Sequence, residues 1–219
     1  MIEDKLLAKL GWILPTITII LSSAIHLVSG NYRDFPFFIS ESDYPGLERY
    51  VFTIGFFVTG IVLMYLSWRL FEVNKTSARW YWMHLSLFSG IIVGANLVLM
   101  SFWDMYDHLA LHITTALNVF YFGLAWCVLT HLAMKDASNK SKNLRYLSIS
   151  LGFISLIGMT YSINLGLIEN PEFINGNWDM EKMQPWINWA APMEYLLALS
   201  FILTLKSFES DILPNEEEE

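Results

Sequence analysis

The chain has a single cysteine, Cys127, set inside an apolar run, which excludes an intrachain disulfide and a cysteine-rich metal site. Charge is scarce as well. Only 16% of the 219 residues are charged while 54% are hydrophobic, and the mean hydropathy of +0.42 leaves too little polar surface to cover a soluble globule of this size. The solvent is therefore largely lipid. Phosphate-binding glycine loops, nucleophile-elbow patterns and internal repeats are missing, and no stretch reads as a soluble domain. A formal net charge of -8 argues against nucleic acid as a partner, although four of the acids are the run Glu216 to Glu219, which reads as a solvated tail. The first apolar segment lacks an A-x-A cleavage site before the loop that follows it, so it reads as a retained span and not a secretory signal.

What is present is a series of apolar segments of about the ~20 residues a bilayer requires. They predict an all-α, polytopic six-transmembrane helix bundle with two longer outer loops. The whole chain forms a single membrane domain, with spans near residues 10–29, 50–71, 80–103, 108–134, 144–165 and 189–208 and an acidic tail over 209–219. Pro15 predicts a kink or a start within the first turns of span one, and Pro192 falls in the first turn of span six. Lys5, Lys9, Arg69, Lys75, Arg79, Lys135, Lys140, Lys142, Arg145 and Lys206 lie on the side of the termini, and only Arg33, Arg49 and Lys182 lie opposite. That bias puts both termini in the cytoplasm and both long loops outside. Trp12, Trp68, Trp80 and Trp82 then mark the inner interface, and Trp103, Trp178, Trp186 and Trp189 the outer one.

The first long loop, NYRDFPFFISESDYPGLERY from Asn31 to Tyr50, is too aromatic for a spacer. Phe35, Phe37 and Phe38 are expected to insert as a lid, with Arg49 at its exit facing a polar cluster below. The second long loop, Gly166 to Ile187, carries the turn pairs Asn170-Pro171 and Asn175-Gly176.

An ionisable group at the centre of a span costs about 2.5–3.5 kcal/mol on insertion scales, so each one needs a partner, a wet cavity or a function. With alternating span directions, His26, Glu48, Arg49, Asn96, Asp104, Asp107, His108, His112, Asn164 and Glu194 all fall in the outer third. Asp104, His108 and His112 are spaced i, i+4, i+8, so if span four begins early enough they lie up one helix face, roughly 6 Å per step, which suits a metal such as zinc as well as plain interfacial hydrogen bonding. No other pattern calls for a cofactor. Glu194, inside WAAPMEYLLALSF, has no charged neighbour in sequence and needs Arg49, a histidine or a proton. His84 and His131 read as interfacial, Asn118 as an interhelical hydrogen bond, and Gly55, Gly60, Gly90, Gly94, Gly152 and Gly158 as close-packing positions.

Four places carry a family likeness: Leu14-Pro15, the loop FPFFISESDYPGLERY, a histidine opening span four, and the closing PMEYLLALSFILTLKSFESDI. In these the chain, from about Leu14 to Asp211, resembles the Frag/DRAM/Sfk family of six-span membrane proteins. That family includes the damage-regulated autophagy modulators and a Golgi factor for late lipid remodelling of GPI anchors. The resemblance marks Pro36, Ile39, Ser40, Pro45, Glu48 or Arg49, His108 or His112, and Glu194. One departure is the run Ser40-Glu41-Ser42-Asp43, which lacks the family hallmark's S-D-x-G.

These observations lead to an integral membrane protein that binds or remodels a lipid at the outer leaflet. Its partner would be a membrane phospholipid or glycolipid. If it is an enzyme, it is an acyl-ester hydrolase or acyltransferase, with Glu194 as general base and His112 or His108 as partner or metal ligand. Arg49, Phe35, Phe37, Phe38, Asn96 and His26 would contact the lipid. A non-enzymatic lipid-binding scaffold is the alternative reading, and a channel or transporter the third.

Overall fold

A computed structural model describes residues 3–175 and 179–212. Gly176, Trp178 and the acidic run Glu216 to Glu219 lie outside the described residues. Six long helices form: α1 Asp4–Ser29, α2 Leu47–Asn74, α3 Trp80–Met100, α4 Leu109–Ala133, α5 Asn139–Glu169 and α6 Gln184–Ser207, with a short α7 at Glu209–Ile212. All six are long and apolar enough to cross a membrane, and no strand occurs among the described residues. Short 3-10 turns at Ile39–Asp43 and Pro171–Asn175 lie in the two long loops.

The helices alternate in direction and pack in chain order, α1 on α2, α2 on α3, α3 on α4 and α5 on α6, with α6 returning to α1. Bonds between helix ends fix that topology. At the end that carries the termini, Arg69 grips Asp4 at 2.7 and 2.8 Å, Arg79 N donates to Ala133 O at 3.0 Å, and Ser141 Oγ donates to Ser207 O at 3.0 Å. At the opposite, loop end, Asn31 on the loop leaving α1 and His26 on α1 reach Glu48 on α2, and Ser162 on α5 donates to Trp186 O on α6 at 2.7 Å.

Burial is inverted relative to a soluble protein. Val28, Ile54, Ile154, Ile157, Tyr161 and Trp189 are exposed, whereas Ser67, Ser86, Thr130, Ser148, Ser200 and Thr204 are buried. Small hydroxyls let helices approach closely and satisfy themselves across the interface. Ser86 and Thr130 meet at 2.7 Å, and Ser148 donates to Ser200 O at 2.5 Å. Backbone meets backbone at Gly60 and Gly94, where a Cβ on either would come within 2.5 Å of the other's carbonyl oxygen. Asn118 donates to Asn96 across α3 and α4, the interhelical bond expected of it.

Helix ends run past the apolar segments. α1 starts at Asp4, so Pro15 lies well inside it; α6 starts at Gln184, so Pro185 takes the first-turn position and Pro192 is interior. Gly30, at φ 72°, closes α1 in the left-handed conformation. The largest difference is at the terminal end. Arg145, counted among the basic residues on the side of the termini, is wholly buried in α5 and pairs with Asp211 of α7, so Glu209–Ile212 pack on the bundle. Trp12 Nε1 also donates to Glu209 at 2.8 Å.

Candidate functional site

The loop from Asn31 to Gly46 is strapped over the loop end of the bundle by its polar groups. Arg33 Nη2 contacts both oxygens of Glu41 at 3.1 Å, and Glu41 Oε1 in turn accepts the Phe38 amide at 3.0 Å. Arg33 Nη1 also donates to Gln184 on α6, whose Nε2 donates to Pro36 O at 3.1 Å. Tyr106 OH, from the α3–α4 turn, donates to Glu41 O at 2.9 Å. Deepest is the Ile39 amide, which donates to Glu194 Oε2 at 2.6 Å. The α3–α4 turn and α6 thus hold the 3-10 turn in place.

The phenylalanines do not act as one lid. Phe35 is 66% exposed, while Phe37 is buried edge-on against His26 with ring centroids 5.0 Å apart. Phe38 packs inward against the cluster of Phe173, Met183, Ile187 and Ala191.

Two cavities meet beneath the turn. The inner one, about 100 Å³, runs down the middle of the bundle past Phe52, Leu97, Val119, Gly123 and Cys127. The outer one, about 460 Å³, is a groove among α4, α5 and α6 lined by apolar residues such as Ile113, Leu117, Met159 and Ile163. Ser40, His112, Ala116, Phe120 and Glu194 line both. The groove lies where α4 and α5 pack only lightly, so it faces the side of the bundle.

His112 is the chemically poised group on that shared wall. Its Nδ1 is 2.8 Å from the Trp103 carbonyl oxygen, and a carbonyl only accepts, so Nδ1 carries a proton and Nε2 of the neutral ring is an acceptor. Nε2 is buried and has no hydrogen-bond partner among the described residues. Glu194 is buried, and its bond is to the Ile39 amide. No hydrogen bond or ion pair joins Glu194 to His112 or to Arg49 among the described residues.

The other expected residues are elsewhere. His26 is buried, with Nδ1 3.4 Å from Glu48 Oε1, and Glu48 also accepts from Asn31 at 2.8 Å and Ser29 at 3.3 Å. Asn96 spends its groups on Ile92 O and Asn118. Neither lines the inner cavity or the groove. Arg49 does not face the cluster. Its charge is committed to Asp43, Asp104 and Asp107, at 3.8, 3.4 and 4.0 Å.

The Asp104, His108, His112 face is not formed either. Asp104 Oδ1 accepts the amides of Tyr106 at 2.9 Å and Asp107 at 2.7 Å, an Asx turn that delays the helix to Leu109 and leaves His108 exposed at its N-cap. Among the described residues no three His, Cys, Asp or Glu side chains form a group that could hold a metal ion. Burial works against the charge of Asp104, but the Asp107 and Tyr106 amides and Arg49 hold its carboxyl below the ordinary value. Asp43 goes the other way. Burial, against the pull of Arg49 and with Asp104 adding repulsion, raises it to about 7. Burial likewise pushes the Tyr106 phenol up, with Glu41 and Asp43 adding to it.

Gln184 and Arg33 were not singled out from the sequence as site residues, although both fix the loop. Only their polarity beside an interface hints at it.

The fold and site define a multi-pass α-helical membrane protein with a side-opening apolar groove that ends at buried polar groups. The chain belongs to the family described as Frag1/DRAM/Sfk1/Cwh43P N-terminal domain, whose model matches residues 5–214. Comparison with curated proteins and with solved structures gave no match.

Proposed function

We propose that the protein takes a phospholipid or glycolipid from the outer leaflet into the groove among α4, α5 and α6 and remodels it by acyl-ester chemistry. The observation that carries this reading is the shared wall, where an apolar groove of about 460 Å³ ends at Ser40, His112 and Glu194. Acyl chains favour the apolar length of such a groove, and an ester or hydroxyl favours its polar end. Membership of a family associated with lipid remodelling supports the same direction. In this reading both termini are cytoplasmic, as the basic residues imply, so the groove's polar end lies in the outer half of the membrane.

His112 is the better base, because Nε2 is free to take a proton from water or a lipid hydroxyl. Glu194 instead holds the loop, through Ile39. Arg49 is left with no headgroup role, since its partners are acidic side chains.

The test is lipid analysis on purified protein and on cells. Wild-type protein in mild detergent is expected to carry a defined phospholipid or glycolipid by mass spectrometry, and cells lacking it to change lipid composition in a way that His112→Gln fails to restore. Bound lipid with full restoration by His112→Gln would favour the scaffold. Absence of bound lipid, with unchanged cellular lipids, would overturn the reading.

A further inference from the structure

We infer that Ser40 is the acyl-accepting nucleophile of this site and that the inner cavity holds the transferred acyl chain. The inference rests on the lipid-remodelling reading above and goes beyond it by naming a covalent intermediate.

Three observations carry it. Ser40 lines both cavities at their junction, on the wall it shares with His112. Its hydroxyl makes no hydrogen bond to any described residue, whereas Ser42, two positions on, spends its hydroxyl on Ile39 O at 2.6 Å and Ser22 at 3.1 Å. The turn that presents Ser40 is pinned one residue earlier, because the Ile39 amide is held by buried Glu194. Ser40 Oγ and His112 Nε2 both lack partners among the described residues and line one cavity junction; they are not hydrogen-bonded to each other, and nucleophilic catalysis requires that substrate binding bring them within reach. The Trp103 carbonyl takes the orienting role on Nδ1 that a carboxylate plays in a triad.

The steps balance without an oxidant or reductant. Ser40 Oγ bonds to the ester carbonyl carbon of the lipid as its proton passes to His112 Nε2. The tetrahedral adduct collapses, the bond from carbon to the lipid alkoxy oxygen breaks, and that oxygen leaves with the proton from His112. Water or a second lipid hydroxyl then attacks the acyl-Ser40 ester and gives its proton to His112, which returns it to Ser40 Oγ. The products are a free fatty acid or a new ester, plus the starting enzyme.

The inner cavity supplies a place for the acyl chain. It leaves Ser40 and follows α4 from His112 to Cys127, a rise of roughly 20 Å at about 1.5 Å per residue. Its lining is almost wholly apolar and narrow, so an extended hydrocarbon suits it and a headgroup does not. The headgroup stays on the groove side, which assigns the substrate class as a glycerolipid or glycolipid ester whose cleaved chain points inward.

Full-length protein in nanodiscs of phosphatidylcholine and phosphatidylinositol is treated with a fluorophosphonate probe, and separately assayed for release of fatty acid. Lipid bound to the purified protein is measured in parallel. Wild type is expected to label at Ser40 in peptide mass spectrometry, and Ser40→Ala to lose both labelling and release, by about 10²-fold or more, while retaining bound lipid and its unfolding midpoint. His112→Gln is expected to slow labelling by a similar factor. If Ser40→Ala keeps wild-type release while His112→Gln loses it, the nucleophile assignment falls and the lipid site stands. If wild type neither binds lipid nor releases fatty acid, both readings fall.

Discussion

The amide of Ile39 and the carboxylate of Glu194 are joined at 2.6 Å across 155 positions of sequence, so the loop after α1 and the second turn-pair of α6 form one structural unit. The bond explains why a carboxylate persists in an otherwise apolar helix face, and why the 3-10 turn at Ile39–Asp43 is fixed at the cavity junction.

Removing that acceptor should release the turn. Glu194→Ala leaves a buried amide unsatisfied and is expected to cost about 1–3 kcal/mol, read as a lower unfolding midpoint in detergent and faster proteolysis between residues 31 and 46. Glu194→Gln retains an oxygen that can accept from Ile39 N and should preserve most of both, together with most of any lipid turnover. Equal damage by the two variants would mean that the carboxylate acts as more than a tether.

Much of the fold was legible because hydropathy and length alone specify spans in lipid. The helix limits were not, since a helix continues into the interface wherever its backbone can bond internally, and the polar residues Asp4 and Lys5, or Asn139 to Arg145, therefore do not end one. Depth counting expected His112 and Glu194 on a common level, and both line the same two cavities. It grouped Arg49 with Asp104 and Asp107, which it pairs with, but expected its charge to face the cluster; and the Asp104, His108, His112 face required an early start of span four, where an aspartate beside two free amides instead caps a turn. The partner of Glu194 was invisible, because a backbone amide leaves no mark in side-chain spacing. The pairing of Arg145 with Asp211 was hidden by sequence distance, since the two side chains lie 66 positions apart.

That buried pair should be costly to break and cheap to replace. Arg145→Met alone leaves Asp211 uncompensated, and is expected to destabilise by about 3–5 kcal/mol, with α7 detaching from the bundle. Asp211→Leu in the same chain should recover a large part of the loss, because two apolar side chains then fill the site. A thermal-unfolding double-mutant cycle in detergent measures it; purely additive effects of the two substitutions would contradict the coupling.

Asp43 makes the loop end sensitive to pH. Its pKa is raised from 3.8 to about 7 by burial, against the attraction of Arg49 and the Met105 amide and with repulsion from Asp104. Between those values the folded protein holds a proton that the unfolded chain has released, so stability from this group is present at low pH and declines as pH rises towards 7. The unfolding midpoint is expected to be higher at pH 5 than at pH 8, and Asp43→Asn should flatten the difference. A variant that keeps the full wild-type dependence would place the titrating group elsewhere.

Ala116 separates occupancy of the groove from the chemistry beside it. It lies on α4 one turn beyond His112 and lines both cavities, yet carries only a methyl group. Ala116→Trp should fill the junction and cut the lipid that co-purifies with the protein several-fold, although overpacking of this kind also costs about 1–3 kcal/mol. The groove-side control is Leu117→Ala, which widens the outer cavity without touching the inner one and should leave lipid bound. Quantitative mass spectrometry of lipid per mole of protein, with the unfolding midpoint measured on the same samples, separates blockage from misfolding. Full lipid occupancy in a folded Ala116→Trp protein would mean that the lipid lies outside this wall, and the acyl path from the groove into the inner cavity would have to be abandoned.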